Sequence, residues 1–229
     1  MPDPVAPPPG FVPRPPGFVP RPITGSSWGA VAPDGATTAM GLAGRLGAYC
    51  WAEQQLFGLL GGWVPDIAEP DVKAAVAEHA EHAAWRALRW HELLPTAPPG
   101  ADALVVAPEG LSAALDPARA AAAGPERTVE KLVVAHRVLL PRLAAALRAH
   151  RDWSPAVSEP AVGRMLGIAL DDLCADWVGG ERLLQAMTVE PATLARALRA
   201  QAEAEAPIAS AGGLVGPGSV GRRPGGGAT

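Results

Sequence analysis

Between residues 38 and 60 the apolar side chains return at a spacing that only a helix gathers onto one face. Leu42, Leu46, Tyr49, Glu53, Leu56 and Leu60 follow at steps of 4, 3, 4, 3 and 4, a continuous seam with one acid in it. Gly61-Gly62 is expected to end this helix. A second helix is predicted from Glu69-Pro70-Asp71, which places proline and acids in a first turn, to Leu94 before Pro95. A third opens near Pro125-Glu126 and runs to about Arg151, with Val129, Val133, His136, Leu140, Leu143 and Leu147 as its seam. Pro141 lies inside it and predicts a kink. The fourth, from Ser158-Glu159-Pro160 to about Met187, carries Val162, Leu166, Ala169, Leu173, Asp176, Gly180 and Leu183 on one stripe. A shorter fifth helix is expected over 188–205.

The links between these helices set the architecture. About nine residues, 61–69, join the first pair and about six, 152–157, join the second pair, so each pair should lie antiparallel. About 30 residues, 95–125, separate the pairs and hold a short helix over 108–123. The expected fold is all-α: an up-down four-helix bundle over 36–187 with a long crossover between helices two and three, plus the appended fifth helix.

Composition sets the two ends apart from the helical stretch. Ten of the 26 prolines fall in 1–22, where Pro-Gly-Phe-Val-Pro-Arg-Pro occurs at 9–15 and again at 16–22. Such density favours extended polyproline II and builds no core, so 1–35 reads as a disordered arm. It is either a solvated tail or a docking segment presenting Phe11 and Phe18. Eight Gly and three Pro in 206–229 make that stretch a flexible tail. The chain has 229 residues and a net charge of −4, with no basic run to bind nucleic acid. No apolar run approaches the ~18 residues of a membrane span, and the proline-rich start does not resemble a secretory signal, so a cytoplasmic location is expected. Two distant cysteines, Cys50 and Cys174, form no disulfide framework and read as small buried hydrophobes. No nucleophile elbow, phosphate loop, Rossmann fingerprint or HExxH occurs.

The chemistry sits in the seams. A carboxylate at Glu53 must find a cation, a metal or a donor, because an unpaired buried charge costs several kcal/mol. His136 holds the equivalent place in helix three, and Asp176 in helix four with Asp172 one turn earlier. Helix two carries Glu78-His79-Ala80-Glu81-His82. Each helix therefore brings carboxylate or imidazole near its midpoint, the ligands that iron, manganese and zinc accept. Other readings stand beside this one. Glu53 and His136 suit a buried acid–imidazole or acid–Arg pair. His79 and His82 suit a solvated face shared with Arg86 and Arg89. Asp172 suits the surface as well as the core, and Trp85, Trp90 and Trp177 suit core and groove filling.

Over about 36–187 the chain resembles the ferritin-like superfamily, in architecture more than in motif. There a di-iron site takes one Glu from each of two helices and Glu-x-x-His from each of the other two. Glu53 matches the first carboxylate. Glu78 is followed by Glu81 and His82 rather than by a His three residues on, Glu130 and His136 are six apart, and Ala175 and Gly179 stand where helix four needs a His. The resemblance therefore implies a single iron or other divalent ion, or a metal-free relic held by buried hydrogen bonds. Its ligand set would be Glu53, His82, His136 and Asp176, which should then converge within about 5 Å of one point. The tail Gly-Gly-Leu-Val-Gly-Pro-Gly-Ser-Val-Gly-Arg-Arg, with Leu214 and Val220 as apolar anchors, is similar to the cargo-loading peptides that bind encapsulin shells. A homo-oligomer is also compatible. The alternative function is a non-catalytic bundle acting through its arm or tail, with the buried polar residues purely structural.

Overall fold

The computed structural model describes residues 38–154 and 159–215, and among these every regular element is helical. Helix α1 spans Ala39–Trp63, α2 Pro70–Glu92, α3 Leu111–Ala114, α4 Asp116–Ala121, α5 Thr128–Val133, α6 Leu140–Trp153, α7 Pro160–Met187 and α8 Pro191–Ser210. A π-helical stretch, Val134–Leu139, joins α5 to α6 in one rod. No helix among the described residues is long and apolar enough to cross a membrane. The proline-rich arm and the tail beyond Val215 lie outside the described residues.

Local chemistry sets the helix starts. The Thr38 hydroxyl accepts from the Gly41 amide at 3.0 Å and caps α1. Pro70, Pro160 and Pro191 each open a helix, where the missing N–H has no partner to lose. Gly61-Gly62 does not end α1. The helix runs on to Trp63, whose ring is buried together with Leu59 and Leu60, and that burial outweighs the glycines' low propensity. Pro141 lies inside the third helix, which continues past it to Trp153. Its ring would clash with the Arg137 carbonyl in a regular α-helix, and the widened π turns immediately before it absorb the mismatch.

Cross-helix contacts give the directions. Tyr49 of α1 packs its ring, tilted, against Trp90 of α2, and Glu53 meets Arg86, so the two helices run antiparallel. His82 and Arg86 of α2 meet Asp176 and Asp172 of α7, again antiparallel. Arg137 bonds Glu181, while His150 faces Glu159, so the 128–153 rod opposes α7. The Thr128 hydroxyl donates to Glu69 at 2.9 Å, which sets the rod's start beside that of α2 and makes those two parallel. Getting back to that end takes the long 93–127 connection. It buries Leu94, Leu104, Leu111, Leu115 and Ala118 against the bundle.

Two expectations at the edges change. α8 extends to Ser210, and Leu214 and Val215 beyond it are buried in the core, so Leu214 is not a free anchor of a tail that begins at 206. Trp90 is fully buried, but Trp85 and Trp177 are 43% and 36% exposed and do not fill the core. Gly47 shows how tightly the crossover sits. A Cβ there would lie 2.0 Å from the Leu104 carbonyl oxygen. Gly47→Ala is therefore expected to lower stability by about 1–3 kcal/mol in urea unfolding, although alanine is the better helix former.

Candidate metal centre

Helix α2 builds the centre of the bundle. Val72, Val76, His79, Ala83, Arg86 and Trp90 recur at steps of 4, 3, 4, 3 and 4, and all six are buried. His79 and Arg86 thus hold seam positions in the same way that Glu53 does on α1. The Arg86 guanidinium is 1% exposed and faces three carboxylates. Its Nε donates to Glu53 Oε1 at 2.8 Å, and its Nη1 donates to Asp172 Oδ2 at 2.5 Å and to Asp176 Oδ2 at 3.0 Å. The cation that Glu53 requires is therefore Arg86. Burial still pushes the Glu53 carboxyl up to about 7, with the Arg86 charge opposing it. Glu53 Oε2 is buried without a hydrogen-bond partner.

The other oxygens of the two α7 carboxylates turn toward α2's histidines. His82 Nδ1 lies 2.7 Å from Asp176 Oδ1 and 3.9 Å from Asp172 Oδ1. Burial works to lower the His82 pKa, but the Asp176 hydrogen bond and the nearby carboxylates outweigh it and raise the value. His79 is buried, and burial lowers its pKa. Its Nδ1 lies 3.0 Å from His136 Nε2, and its Nε2 lies 3.7 Å from Asp176 Oδ1. His136 Nδ1 donates to the Leu132 carbonyl at 3.0 Å. Burial and the neighbouring His79 push His136 down to about 4, so its ring is neutral at pH 7.

The structure thus separates the four residues singled out by sequence. His82 and Asp176 meet directly, and with Asp172 they bring three ligand atoms within 4.8 Å of one another. Glu53 stands behind Arg86, and His136 stands behind His79. The Glu53, His82, His136, Asp176 set does not converge on one point, because a guanidinium and an imidazole occupy the space between. His79 is no solvated residue and Arg86 is no marker of a wet face. Asp172 is inward enough to join the group. The signal that would have found His79 and Arg86 is the 4-3-4-3-4 step on helix two.

Glycine makes room for this arrangement. A Cβ at Gly180 of α7 would fall 1.9 Å from His136 Cδ2. Gly180→Ala must push the ring off its site, and a loss of about 1–3 kcal/mol is expected. Gly167, in the same helix, has nothing within 4 Å of its would-be Cβ. There alanine should stabilise by about 0.5–1 kcal/mol. Urea midpoints moving in the same direction for both variants would refute the packing argument.

A second buried polar group lies toward the other end. Tyr49 bonds His150 Nδ1 at 3.0 Å, and His150 Nε2 is 3.8 Å from Glu159. Burial raises the Tyr49 pKa, while burial and then Arg45 lower His150 to about 3. Cys50 donates its thiol to the Ala87 carbonyl, and burial lifts its pKa to about 11, so it is an inert core residue.

No protein-family model matches the chain, and neither a curated protein nor a solved structure matches it.

Proposed function

We propose that the chain is a ferritin-like helical bundle that holds a single divalent metal ion between α2 and α7, on His82, Asp172 and Asp176. The up, down, down, up order of α1, α2, the 128–153 rod and α7, with one long crossover, supports the ferritin-like reading. The observation that carries the metal is the group of three ligand atoms within 4.8 Å. Charge fits as well: Asp172, Asp176 and Glu53, whose carboxyl at about 7 is only partly ionised near neutral pH, face one permanent cation, Arg86, so a dication brings the cluster toward neutrality. Imidazole with carboxylate suits iron, manganese or zinc. When bound, such an ion supplies Lewis acidity, and iron or manganese also supplies redox capacity. His82 and Asp172 are the part-exposed members through which an ion reaches the site.

A second reading is favoured by Arg86. Its ion pairs to Glu53, Asp172 and Asp176 satisfy the cluster without a metal, which leaves the protein a non-catalytic partner-binding bundle. The segment beyond Val215 would then dock a partner such as an encapsulin shell. Metal analysis separates the readings. Chelator-stripped full-length protein should take up about one equivalent of Mn²⁺ or Zn²⁺, and Asp172→Asn should weaken that uptake at least tenfold. The metal reading fails if wild type takes up no saturable equivalent, or if Asp172→Asn binds as wild type does.

A further inference from the structure

The hydrogen bonds behind the site settle which nitrogen of His79 is bare. A backbone carbonyl can only accept, so the proton on His136 Nδ1 points at Leu132. The neutral His136 ring therefore has a lone pair on Nε2, and that lone pair accepts the proton of His79 Nδ1 at 3.0 Å. With its proton committed there, neutral His79 carries its own lone pair on Nε2. That nitrogen lies 3.7 Å from Asp176 Oδ1, beyond hydrogen-bond reach. Asp176 Oδ1 also takes the His82 Nδ1 contact at 2.7 Å, so the lone pair of His79 Nε2 stands beside a carboxylate oxygen that belongs to the candidate metal group. That one separation, between His79 Nε2 and Asp176 Oδ1, is close to what a shared ion would set, since two bonds of about 2.1 Å at a tetrahedral angle hold ligand atoms about 3.4 Å apart; His79 lies outside the group of three whose ligand atoms are within 4.8 Å of one another, so the other ligands would close toward it on binding. A carbonyl-fixed partner behind an imidazole is also how metal-binding histidines are usually oriented.

We propose that His79 Nε2 is a fourth ligand, completing a two-imidazole, two-carboxylate site with His82, Asp172 and Asp176 that takes first-row transition dications in preference to Mg²⁺ or Ca²⁺. The assignment rests on the metal reading above. The spacing is built for it. His79 and His82 are three residues apart on α2, Asp172 and Asp176 are four apart on α7, and both pairs fall on facing sides of antiparallel helices. Asp172 and Asp176 each give Arg86 one oxygen, Oδ2, and turn Oδ1 toward the histidines. Arg86 then balances the carboxylates without taking the ligand atoms. His136 acts as a positioning residue that holds the His79 ring through Nδ1. Nitrogen donors are what tilt such a site away from the hard, oxygen-seeking Mg²⁺ and Ca²⁺.

The test uses Co²⁺ with chelator-stripped full-length protein. Wild type should bind Co²⁺ at least 100-fold more tightly than Mg²⁺ by isothermal titration. His79→Gln should weaken Co²⁺ binding 10- to 100-fold and change the visible absorption band, and His136→Gln should weaken it about tenfold. Thermal melts of both variants establish that they fold. Proton NMR of Co²⁺-loaded wild type gives a readout that needs no variant. It should show two hyperfine-shifted imidazole N–H signals, a slowly exchanging one from the buried His79 Nδ1 and a fast-exchanging one from His82. Wild type that takes up no Co²⁺ overturns both the metal reading and this assignment. Binding that Asp172→Asn abolishes, but that His79→Gln leaves unchanged in affinity and spectrum, with a single shifted N–H, overturns the fourth ligand alone.

Discussion

Arg86→Met is expected to destabilise the protein by about 3–5 kcal/mol, the loss seen when one partner of a buried ion pair is removed. The guanidinium meets Glu53, Asp172 and Asp176, and Glu53 is fully buried. Methionine fills much of the volume but leaves two or three carboxylates facing one another in the core. Glu53, already raised to about 7, would then titrate higher still. At about 2–4 °C per kcal/mol for a chain of this size, the thermal midpoint should fall by roughly 6–20 °C. Glu53→Gln in the Arg86→Met background should recover part of the loss, because the pair is coupled and one orphaned acid has gone. Melts followed by circular dichroism at neutral pH, with chelator, measure this. A fall below about 1 kcal/mol would mean that the carboxylates are hydrated and the cluster is not a core element.

Acid should destabilise the protein progressively below about pH 6.5, most steeply between about pH 4.5 and 4. His136 is held near 4 and His150 near 3, against 6.5 for a free imidazole. Both are neutral when folded, so below pH 6.5 the unfolded chain takes up two protons that the folded chain refuses. Stability from these groups is complete above pH 6.5 and is lost as pH falls through 4 and then 3. Glu53 works in the opposite direction. Its folded value of about 7 lies above the free 4.5, so the folded chain holds the extra proton between those limits and gains from acidification there. The net slope is therefore about one proton's worth, or 1.4 kcal/mol per unit, from pH 6.5 to 4.5, about two protons' worth from 4.5 to 4, where Glu53 no longer offsets the imidazoles, and about one again from 4 to 3. The summed loss to pH 3 is on the order of 5 kcal/mol. Urea midpoints between pH 7.5 and 3.5 test it, with His150→Gln as the control. That variant keeps an acceptor for Tyr49 and removes one titration, so its curve should be flatter below pH 5. Stability that is flat or rising from pH 6 to 4 in wild type would show that the two imidazoles are not held neutral.

Helix positions, their starts and their pairing were legible in the chain because they depend on local chemistry. Seam periodicity marks a buried stripe wherever it occurs, proline at N1 and the Thr38 cap act within one turn, and link length decides which neighbours lie antiparallel. Even the need for a partner at Glu53 follows from its place between Tyr49 and Leu56. The identity of that partner does not. Arg86 and His79 occupy seam positions on α2 as regular as those of α1, yet a cation and an imidazole beside Glu78, Glu81 and Arg89 look like a solvated face until α1 and α7 close over them. The same holds at the other margins. Gly61-Gly62 is a local breaker that long-range burial overrides, the π-helical form of the turns before Pro141 is not written in the local sequence, and Leu214 leaves the tail for the core because the bundle offers it an apolar surface. Periodicity along one chain says which side faces in. Only the packed helices decide what that side meets: Arg86 between three carboxylates, and His136 fixing the proton of His79.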